Sequence, residues 1–508
     1  MPHRKSQRGK SAWMGFLIFV LIMESLMIVP MAFAAEKAQK PAAETTETGK
    51  KKVEKKTIVD DWYVYQHDSR HSGRSEFKGP LKPTVLWVIP FGQTGKPTTA
   101  MVVGKEGIAY AGVIVTPKEE TSTTESASDL AAEAMGSSGV FAFGENKKVV
   151  WVSSEKGNVT GPLAIGKDGT IYAVIGQNLT AINKKDGSTK WTIKLNGESS
   201  GGVMLDKDDT VYAGTVAGQT LYAVTKSGEV KWAFKADGKI DSSPAVGGDG
   251  TVYFTTADLA LYAVSSSGAL KWKYKVDVAE RTDISAPVLA KDDTIYFSAS
   301  RFEGTAGMEF FYAFEPSGKL KWRYQTEGKK STMPAVAEDG TIVLATTILN
   351  YTEDRGFTVG DAYIIGITPD GEFDWSFKTR DDDFNEPPII DGEGDIYMSS
   401  TDGYLTCLTK TGTMRWRAKI GGKASIGPEG VLYVSANSSV AAVADKDIIK
   451  AKQPKKSEDG EVQGGLGAGS FLIYIIPVVV AIGIGFLLKS RIGAKEDDES
   501  QITPVEDK

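Results

Sequence analysis

The sequence predicts an all-β protein organised around an eight-bladed β-propeller of four-stranded blades. Three observations predict this fold: a four-strand unit recurs along most of the 508 residues, a tryptophan stands near the end of each unit, and an incomplete unit stands at either end of the array. Repeats of about 40 residues with four short strands each are typical of propeller blades rather than of sandwiches or barrels.

The clearest copy of the unit is residues 242–274. Its β-branched and aromatic residues fall into four short runs, and each run has the composition of a strand. The turns at residues 248–250 and 267–268 are built from glycine, aspartate and serine, and the glycines accept the positive φ that a tight turn requires. The pattern therefore predicts one antiparallel four-stranded blade.

One tryptophan occupies the same point in the fourth strand of each unit. Because there is one per unit, we interpret these side chains as packing elements between neighbouring blades and not as a cofactor-binding box. The eight are Trp87, Trp151, Trp191, Trp232, Trp272, Trp322, Trp375 and Trp416.

The two ends of the array indicate how the ring closes. Residues 84–91 form a single tryptophan-bearing strand, whereas residues 423–443 hold three strands and lack a tryptophan strand. Each fragment lacks what the other has. We therefore expect the N-terminal strand to complete the last blade, which leaves no exposed sheet edge.

The repeat resembles a known family. Its apolar Pro-Ala-Val strand, the Asp-Gly-Thr-hydrophobic-Tyr turn and strand, Leu-Tyr-Ala-Val, Ser-Gly and Lys-Trp look like the pyrroloquinoline-quinone-like repeat of eight-bladed propellers, over residues 61–445. That family includes quinoprotein dehydrogenases and non-enzymatic envelope proteins such as the assembly lipoprotein BamB. The resemblance implies the fold more strongly than the function, because one scaffold carries many functions.

The resemblance also supplies an enzymatic alternative. Quinoprotein dehydrogenases hold pyrroloquinoline quinone on the propeller axis with a calcium ion, between a tryptophan and a disulfide of adjacent cysteines. Cys407 is the one cysteine of this chain, so that disulfide cannot form, and we interpret it as a small buried hydrophobic residue. No nucleophile motif, metal-spaced His/Cys set or phosphate loop occurs. We expect no catalytic, cofactor-binding or metal-binding residues, and the quinone-dependent and calcium-dependent dehydrogenase stays the alternative.

The first 60 residues have the composition of an export signal and a spacer. Residues 1–34 have a basic start, an apolar run and an Ala-Phe-Ala cleavage site, which predict a signal peptide, with an uncleaved anchor as the alternative. Residues 35–60 are charged and poor in large apolar side chains, so we expect a flexible, disordered linker.

The C-terminal part has the composition of a membrane anchor. Residues 446–470 read as a polar and glycine-rich linker, and residues 471–488 are uncharged and long enough for a transmembrane helix. Lys489, Arg491 and Lys495 follow, so the positive-inside tendency places a short tail, residues 489–508, in the cytoplasm. We expect a single-pass protein of the cytoplasmic membrane with the propeller in the periplasm or the extracellular space.

Residues 61–80 form a lead-in with no strand pattern. His67 and His71 stand four residues apart in it, which permits a metal-binding interpretation. No cysteine lies nearby, so we expect them to be polar surface residues.

Departures from the repeat are concentrated on one face of the predicted propeller. Insertions at residues 117–138, 301–309 and 348–361 all lie between the second and third strands, which open onto the same face as the connections between blades. Faces where repeats depart from consensus are often binding faces, although loops also vary where folding tolerates it. The net charge of −6 gives no indication of nucleic-acid binding.

Mixed charges with aromatic residues suit a protein or peptide partner. Residues 381–383 could bind calcium, but they lack the alternating oxygen pattern of a calcium loop. The candidate partner-binding residues, which the sequence places over blades 4 to 7, are Glu280, Arg281, Asp283, Tyr351, Asp354, Arg355, Phe357, Arg380, Asp381, Asp382, Asp383 and Phe384.

Overall fold

The computed structural model describes residues 62–92, 95–116, 137–144, 148–276, 283–303, 306–326, 330–352, 356–379 and 383–448. These residues form eight antiparallel sheets, each of which is one blade. The first strands of successive blades lie beside one another around a central axis, and the fourth strands lie outermost. The predicted eight-bladed propeller of four-stranded blades is confirmed.

The first four blades follow the chain in order. Blade 1 contains β2 (Gly95–Pro97), β3 (Val102–Val103), β4 (Ala109–Val115), β5 (Gly139–Gly144) and β6 (Lys148–Val152). Blade 2 contains β7 (Ala164–Ile165), β8 (Ile171–Ile175), β9 (Asn178–Ile182) and β10 (Thr189–Lys194). Blade 3 contains β11 (Val203–Leu205), β12 (Val211–Gly214), β13 (Thr220–Val224) and β14 (Val230–Lys235). Blade 4 contains β15 (Ala245–Val246), β16 (Val252–Thr256), β17 (Ala260–Val264) and β18 (Leu270–Lys275).

The other four blades include the longest strands. Blade 5 contains β19 (Val288–Leu289), β20 (Ile295–Glu303), β21 (Ala306–Phe314) and β22 (Leu320–Thr326). Blade 6 contains β23 (Lys330–Ser331), β24 (Ala335–Val336), β25 (Ile342–Thr352), β26 (Gly356–Ile367) and β27 (Phe373–Thr379). Blade 7 contains β28 (Ile389–Ile390), β29 (Ile396–Ser399), β30 (Leu405–Leu408) and β31 (Met414–Ala418). Blade 8 contains β32 (Lys423–Ile426), β33 (Leu432–Ser435), β34 (Ser439–Ala444) and β1 (Thr84–Pro90), with a one-turn 3₁₀ helix at Pro428–Gly430.

Blade 8 joins the two ends of the propeller. Strand β1 pairs antiparallel with β34, with Thr84 opposite Ala444 and Pro90 opposite Ser439. The Phe91 N–H donates to the Ser438 carbonyl at 2.8 Å just beyond this pairing. The ring therefore closes through the N-terminal strand, as the two incomplete units predict.

The turn between the first and second strands is fastened by its own side chains. In blade 4, the Asp249 carboxylate accepts from the Thr251 N–H and from the Thr251 hydroxyl, both at 2.8 Å. Gly250 lies between them at φ +80°, where a side chain would be strained. Blades 2 and 5 repeat the carboxylate–threonine pair, which explains the recurrence of Asp-x-Thr in the sequence.

The outer tryptophans join each blade to the next. The Trp272 indole N–H of blade 4 donates to the Pro316 carbonyl of blade 5 at 2.9 Å. A Cβ added to Gly318 of that same turn would lie 2.8 Å from the indole ring. Trp151, Trp191, Trp232 and Trp322 make the same bond to the following blade. The buried Trp375 Nε1 has no hydrogen-bond partner, although its ring packs on Gly412 of blade 7.

Most of these tryptophans also pack on a tyrosine of their own blade. The Trp272 and Tyr253 ring centroids are 5.9 Å apart, and Tyr253 is fully buried. The pair recurs in blades 1, 2, 3, 5 and 7. The apolar core therefore lies between the sheets, and it is repeated around the ring.

The two faces of the ring differ. The turns after the first and third strands lie on one face, which we call the turn face. The connections after the second and fourth strands lie on the other, which we call the hairpin face. Strand β20 has nine residues and β25 has eleven, whereas β16 of blade 4 has five. The extra residues lengthen the two hairpins on the hairpin face by about 13 and 20 Å, at about 3.3 Å per residue.

Residues 62–83, which we call the N-terminal segment, run around the axis at the turn face. The carbonyls of Tyr63, Ser69 and Arg70 accept from the ends of the first strands of blades 2, 4 and 5. Those of Ser72 and Gly73 do the same for blades 6 and 7. The segment therefore closes the axial channel at this face.

The two histidines of this segment are buried, which corrects the expectation of surface residues. His67 is 9% exposed and its ring stacks edge-on against Trp62, with centroids 5.2 Å apart. His71 is fully buried, and its Nδ1 donates to the Pro287 carbonyl at 3.0 Å. Within the described residues, no three His, Cys, Asp or Glu side chains are grouped to hold a metal ion. The histidines belong to the packing of the channel plug.

Five predicted segments lie outside the described residues, except for residues 446–448: the predicted signal peptide (1–34), linker (35–60), C-terminal linker (446–470), transmembrane helix (471–488) and tail (489–508). In the part of the chain that is described, no helix has the length and apolar character needed to span a bilayer.

Candidate binding face

A cavity of about 560 Å³ opens on the hairpin face at the axis. Tyr65 of the N-terminal segment reaches its wall, so the cavity ends at the plug. Residues just before or within the first strands supply the rest of the wall, and many carry hydroxyls: Thr98, Thr99, Thr160, Ser200, Ser242, Ser243, Ser285, Ser331 and Thr332.

Several of these hydroxyls are already used within the blades. The Ser242 hydroxyl donates to the Thr255 carbonyl at 2.9 Å and accepts from the Thr255 N–H. Thr99 and Thr332 accept a second-strand N–H in the same way. These side chains hydrogen-bond the second-strand backbone where the first strand has ended. Their role is therefore to hold the cavity wall, and they give no indication of a reactive site.

A second depression of about 780 Å³ continues from the axial cavity over blades 7, 8 and 1. The two share Thr98, Thr160, Asn385 and Lys423. Ser399, Ser400, Gly421 and Gly422 are among the residues that line its far part. Together they form a polar groove, which we call the axial groove.

Two lysines at or near the groove, Lys423 and Lys330, are matched by carboxylates. Lys423 Nζ lies 2.7 Å from Glu386 Oε1. Lys330 Nζ lies 3.0 Å from Asp383 Oδ2, and the Thr347 hydroxyl donates to Asp383 at 3.1 Å.

Two carboxylates on the opposite side have no such match. Asp241 and Asp283 line the axial cavity, and neither has an ion pair within the described residues. The pKa of Asp241 is raised above its ordinary value, first because the wall removes water from it and also because the Asp283 charge is near. The Lys239 charge acts in the opposite direction and is a smaller influence.

A third carboxylate lies behind this wall. Glu309 of β21 is 2% exposed, and its Oε2 has no hydrogen-bond partner. Burial raises the pKa of Glu309 to about 7, against hydrogen bonds from Ser331 and Ser298, and the Asp283 charge adds to the rise. This buried carboxyl therefore lies next to Ser331, which lines the cavity.

The structure places the predicted partner-binding residues as follows. Asp283 lines the cavity, and Tyr351 and Phe357 are paired across the lengthened blade 6 hairpin. Asp383 is engaged with Lys330. Phe384 is 1% exposed in the blade 6–blade 7 core, so its side chain is not part of the surface. The predicted residues outside the described ranges are Glu280, Arg281, Asp354, Arg355, Arg380, Asp381 and Asp382.

Two features of this face differ from the sequence expectation. The insertions in blades 5 and 6 continue their strands as paired hairpins instead of forming loops. Asp241, Glu309 and Lys423 were not among the predicted residues. A signal for Glu309 was present, because it is the one charge within the apolar run of residues 306–314.

The axial cavity does not fit the quinone of the dehydrogenases. The quinone is a tricarboxylate, whereas the cavity wall carries Asp241 and Asp283, and its one lysine, Lys423, is bound to Glu386. None of the residues lining the cavity is a tryptophan. Cys407 is buried in blade 7, and burial raises the pKa of its thiol to about 12.

The fold defines the class of the chain: an eight-bladed β-propeller of four-stranded blades. Within it, residues 136–306 match the family described as outer membrane protein assembly factor BamB, so the chain carries the repeat of that family over this stretch. No curated protein matches the chain in sequence.

Three solved structures are reported as similar to the chain. BamB from Moraxella catarrhalis is 18% identical with a TM-score of 0.49, covering 71% of this chain and 99% of its own. A europium-containing methanol dehydrogenase is 11% identical with a TM-score of 0.55, covering 76% and 98%. Quinohemoprotein alcohol dehydrogenase from Comamonas testosteroni is 12% identical with a TM-score of 0.52, covering 80% and 83%. At such identities the likeness shows the fold alone, so function has to be argued from residues.

Proposed function

We propose that the protein is a non-catalytic scaffold that binds a protein partner on its hairpin face. The observation that carries the proposal is the pair of lengthened hairpins, β20–β21 and β25–β26, which stand on adjacent blades beside the axial groove. Projecting elements beside a polar groove offer a partner an extended concave surface, as repeat proteins commonly do.

The surface chemistry supports a protein as the ligand. The groove is polar and has charged residues at its mouth, which is typical of the polar rim of a non-obligate interface. The upper part of β26, residues 356–361, has no partner in β27, whose pairing begins at Ala362. Unpaired strand edges are sites where another chain can add a strand.

The rest of the proposal concerns where the scaffold works. We propose that residues 1–34 export the chain and that residues 471–488 hold it in the cytoplasmic membrane, with the propeller outside and the tail inside. A tethered propeller with this orientation presents its binding face to envelope or surface proteins, and a role in envelope assembly or surface organisation follows.

The proposal is tested by photo-crosslinking in the full chain, in membranes of the native host. A photoreactive amino acid replaces Thr358 on the β26 hairpin or, as a matched control, Ser227, which is exposed in a turn on the turn face. We expect a discrete protein adduct from position 358 and none from position 227. Adducts from position 227 alone, or from neither position, would overturn the proposal.

Two hairpin variants test the same surface. Replacing residues 350–358 with Asn-Gly keeps the Leu349–Val359 pair and closes the hairpin with a two-residue turn. The matched variant replaces residues 302–307 in blade 5 and keeps the Arg301–Met308 pair. The crosslinking yield is measured with the photoreactive amino acid at position 423 on the rim of the groove, because both variants retain this position. We expect the yield to fall at least tenfold while Tm changes by no more than about 3 °C.

A further inference from the structure

We propose that the axial cavity receives a basic side chain, arginine or lysine, which an extended segment of the protein partner inserts between Asp241 and Asp283. This inference rests on the proposed function and adds the chemistry by which the partner is recognised. The cavity wall, its charge balance and the shape of the groove each support it.

The charge balance identifies the side of the cavity that lacks a counter-ion. Lys423 and Lys330 are paired with Glu386 and Asp383 at 2.7 and 3.0 Å. Asp241 and Asp283 face the same opening without an ion pair from the described residues. Two neighbouring carboxylates repel each other, and a cation between them removes the repulsion.

The buried wall behind Asp283 gives a second, independent observation. Glu309 Oε2 and Thr346 Oγ1 are buried without hydrogen-bond partners among the described residues, as is the hydroxyl of Ser243, which is 4% exposed and lines the cavity. Ser331 and Thr346 are register partners across β23 and β25, and Glu309 lies near Ser331. Unsatisfied buried polar groups are costly, so the cavity favours a ligand that brings hydrogen-bonding groups.

An arginine or lysine side chain meets both requirements. A guanidinium carries five N–H donors and a permanent charge, and an ammonium carries three donors. A metal ion fits less well, because no three carboxylate, histidine or cysteine side chains of the described residues are grouped to coordinate one.

The axial groove provides the space for the backbone of the partner segment that carries the basic side chain. It continues from the cavity for a further 780 Å³ over blades 7, 8 and 1. Serine, threonine, asparagine and glycine dominate its lining, and these offer hydrogen bonds to an extended peptide without a demand for particular apolar side chains. A free cation would leave this part of the groove without an occupant.

The test measures peptide binding to the full chain in detergent by fluorescence anisotropy at low salt. The probe is a labelled nine-residue Gly/Ser peptide with a central arginine, and the control peptide has citrulline, which keeps the shape and lacks the charge. We expect the arginine peptide to bind at least tenfold more tightly than the citrulline peptide. Equal binding of the two peptides would overturn the inference.

Paired variants assign the site. Asp241→Asn with Asp283→Asn should weaken binding of the arginine peptide at least tenfold. Asp208→Asn with Glu229→Gln, a matched pair of exposed acids on the turn face, should leave it unchanged. Circular dichroism of each variant checks the fold. An Asn pair that is folded and still binds the arginine peptide like wild type would overturn the inference.

Two further outcomes would assign the cavity to another occupant. Displacement of the peptide by millimolar calcium from wild type would reassign it to a divalent cation. Tighter peptide binding after all seven lysines of residues 35–60 are changed to glutamine would show that this chain fills its own cavity; these are Lys37, Lys40, Lys50, Lys51, Lys52, Lys55 and Lys56. If the crosslinks at position 358 persist while any of these outcomes occurs, the inference fails and the proposed function stands.

Discussion

The Trp416 indole N–H donates to the Pro80 carbonyl across the join of the ring, at 3.0 Å. In blades 1 to 5 the same bond ends in the turn between the third and fourth strands of the following blade. Blade 8 has no such turn, because its third and fourth strands come from opposite ends of the propeller. The N-terminal segment supplies the acceptor instead, so the repeated contact survives where the chain is interrupted.

The tryptophan contact predicts a large difference between two substitutions on one strand. Trp272→Ala should lower the free energy of unfolding by about 3 kcal/mol, because it removes packing on Tyr253 and Gly318. Leu270→Ala on the same strand should change it by no more than about 0.5 kcal/mol, since Leu270 is 50% exposed. Urea unfolding measures both, and equal losses would contradict the inter-blade role of the tryptophan.

His71 predicts a loss of stability in mild acid. Burial lowers its pKa to about 4 from an ordinary 6.5, so between these values the unfolded chain binds a proton that the folded chain refuses. The free energy of unfolding should therefore fall as the pH is lowered from 6.5 to 4, by about 3 kcal/mol at most. His71→Asn should lose this part of the pH dependence, and urea unfolding at several pH values measures it. Parallel curves for the two proteins would contradict the prediction.

Glu309 predicts a free energy of unfolding that changes with pH in the opposite direction. Its pKa is raised to about 7 from 4.5, so between these values the folded chain holds a proton that the unfolded chain releases. Its contribution to stability is complete below pH 4.5 and is lost as the pH rises through 7. Glu309→Gln should therefore be more stable than wild type at pH 8, by about 3 kcal/mol at most, and similar to it at pH 4.5. Denaturant unfolding at the two pH values measures the difference, and a variant less stable at pH 8 would contradict it.

The Asp391 carboxylate fastens the N-terminal segment to blade 7, and its removal should lower the stability of the protein. Its carboxylate accepts from the Gly79 N–H at 2.8 Å and from the Tyr397 hydroxyl at 3.0 Å. Asp206 makes the equivalent bond to Tyr212 in blade 3, at 2.9 Å, and its side chain makes no hydrogen bond to the described residues of the N-terminal segment. Asp391→Ala should cost about 1 to 3 kcal/mol more than Asp206→Ala, because it also leaves a buried N–H unpaired.

Hydrogen exchange checks the same pair of variants residue by residue. The Gly79 amide should exchange faster in Asp391→Ala and at the wild-type rate in Asp206→Ala. Unchanged exchange at Gly79 in both variants would show that the segment is held by its other bonds.

The propeller could be predicted because its determinants are local and repeated. The Asp249–Thr251 turn and the Trp272 strand each lie within one blade, and the two incomplete blades needed only each other. The plug could not be predicted, because the carbonyls of residues 63–73 bond to strand ends far along the chain, and nothing in their own pattern indicates those partners. His71 reads as a polar surface residue until its neighbours are known.

The candidate site was predicted at the level of a face and not of its residues. Insertions between second and third strands identified the hairpin face, and their β-branched and aromatic residues explain why they continue as strands. Asp241 lies in the connection before the first strand of blade 4, where many other blades also have polar residues, so the sequence does not distinguish it. Only the ring brings it beside Asp283, and only that neighbour makes it an unmatched charge.

The N-terminal segment has a consequence for the order in which the molecule is made. Its Lys82 N–H donates to Asp445, 363 residues later in the chain. Its carbonyls accept hydrogen bonds from blade 2 and from blades 4 to 7, which are all synthesised after it. The first part of the propeller to leave the ribosome is thus among the last to find its place, and contacts of such sequence separation form slowly. Until blade 8 is synthesised, strand β1 has no partner and the N-terminal segment lacks its contact with Asp445. A nascent propeller is therefore an open array of sheets whose unpaired strand edges can pair with other chains until the ring closes.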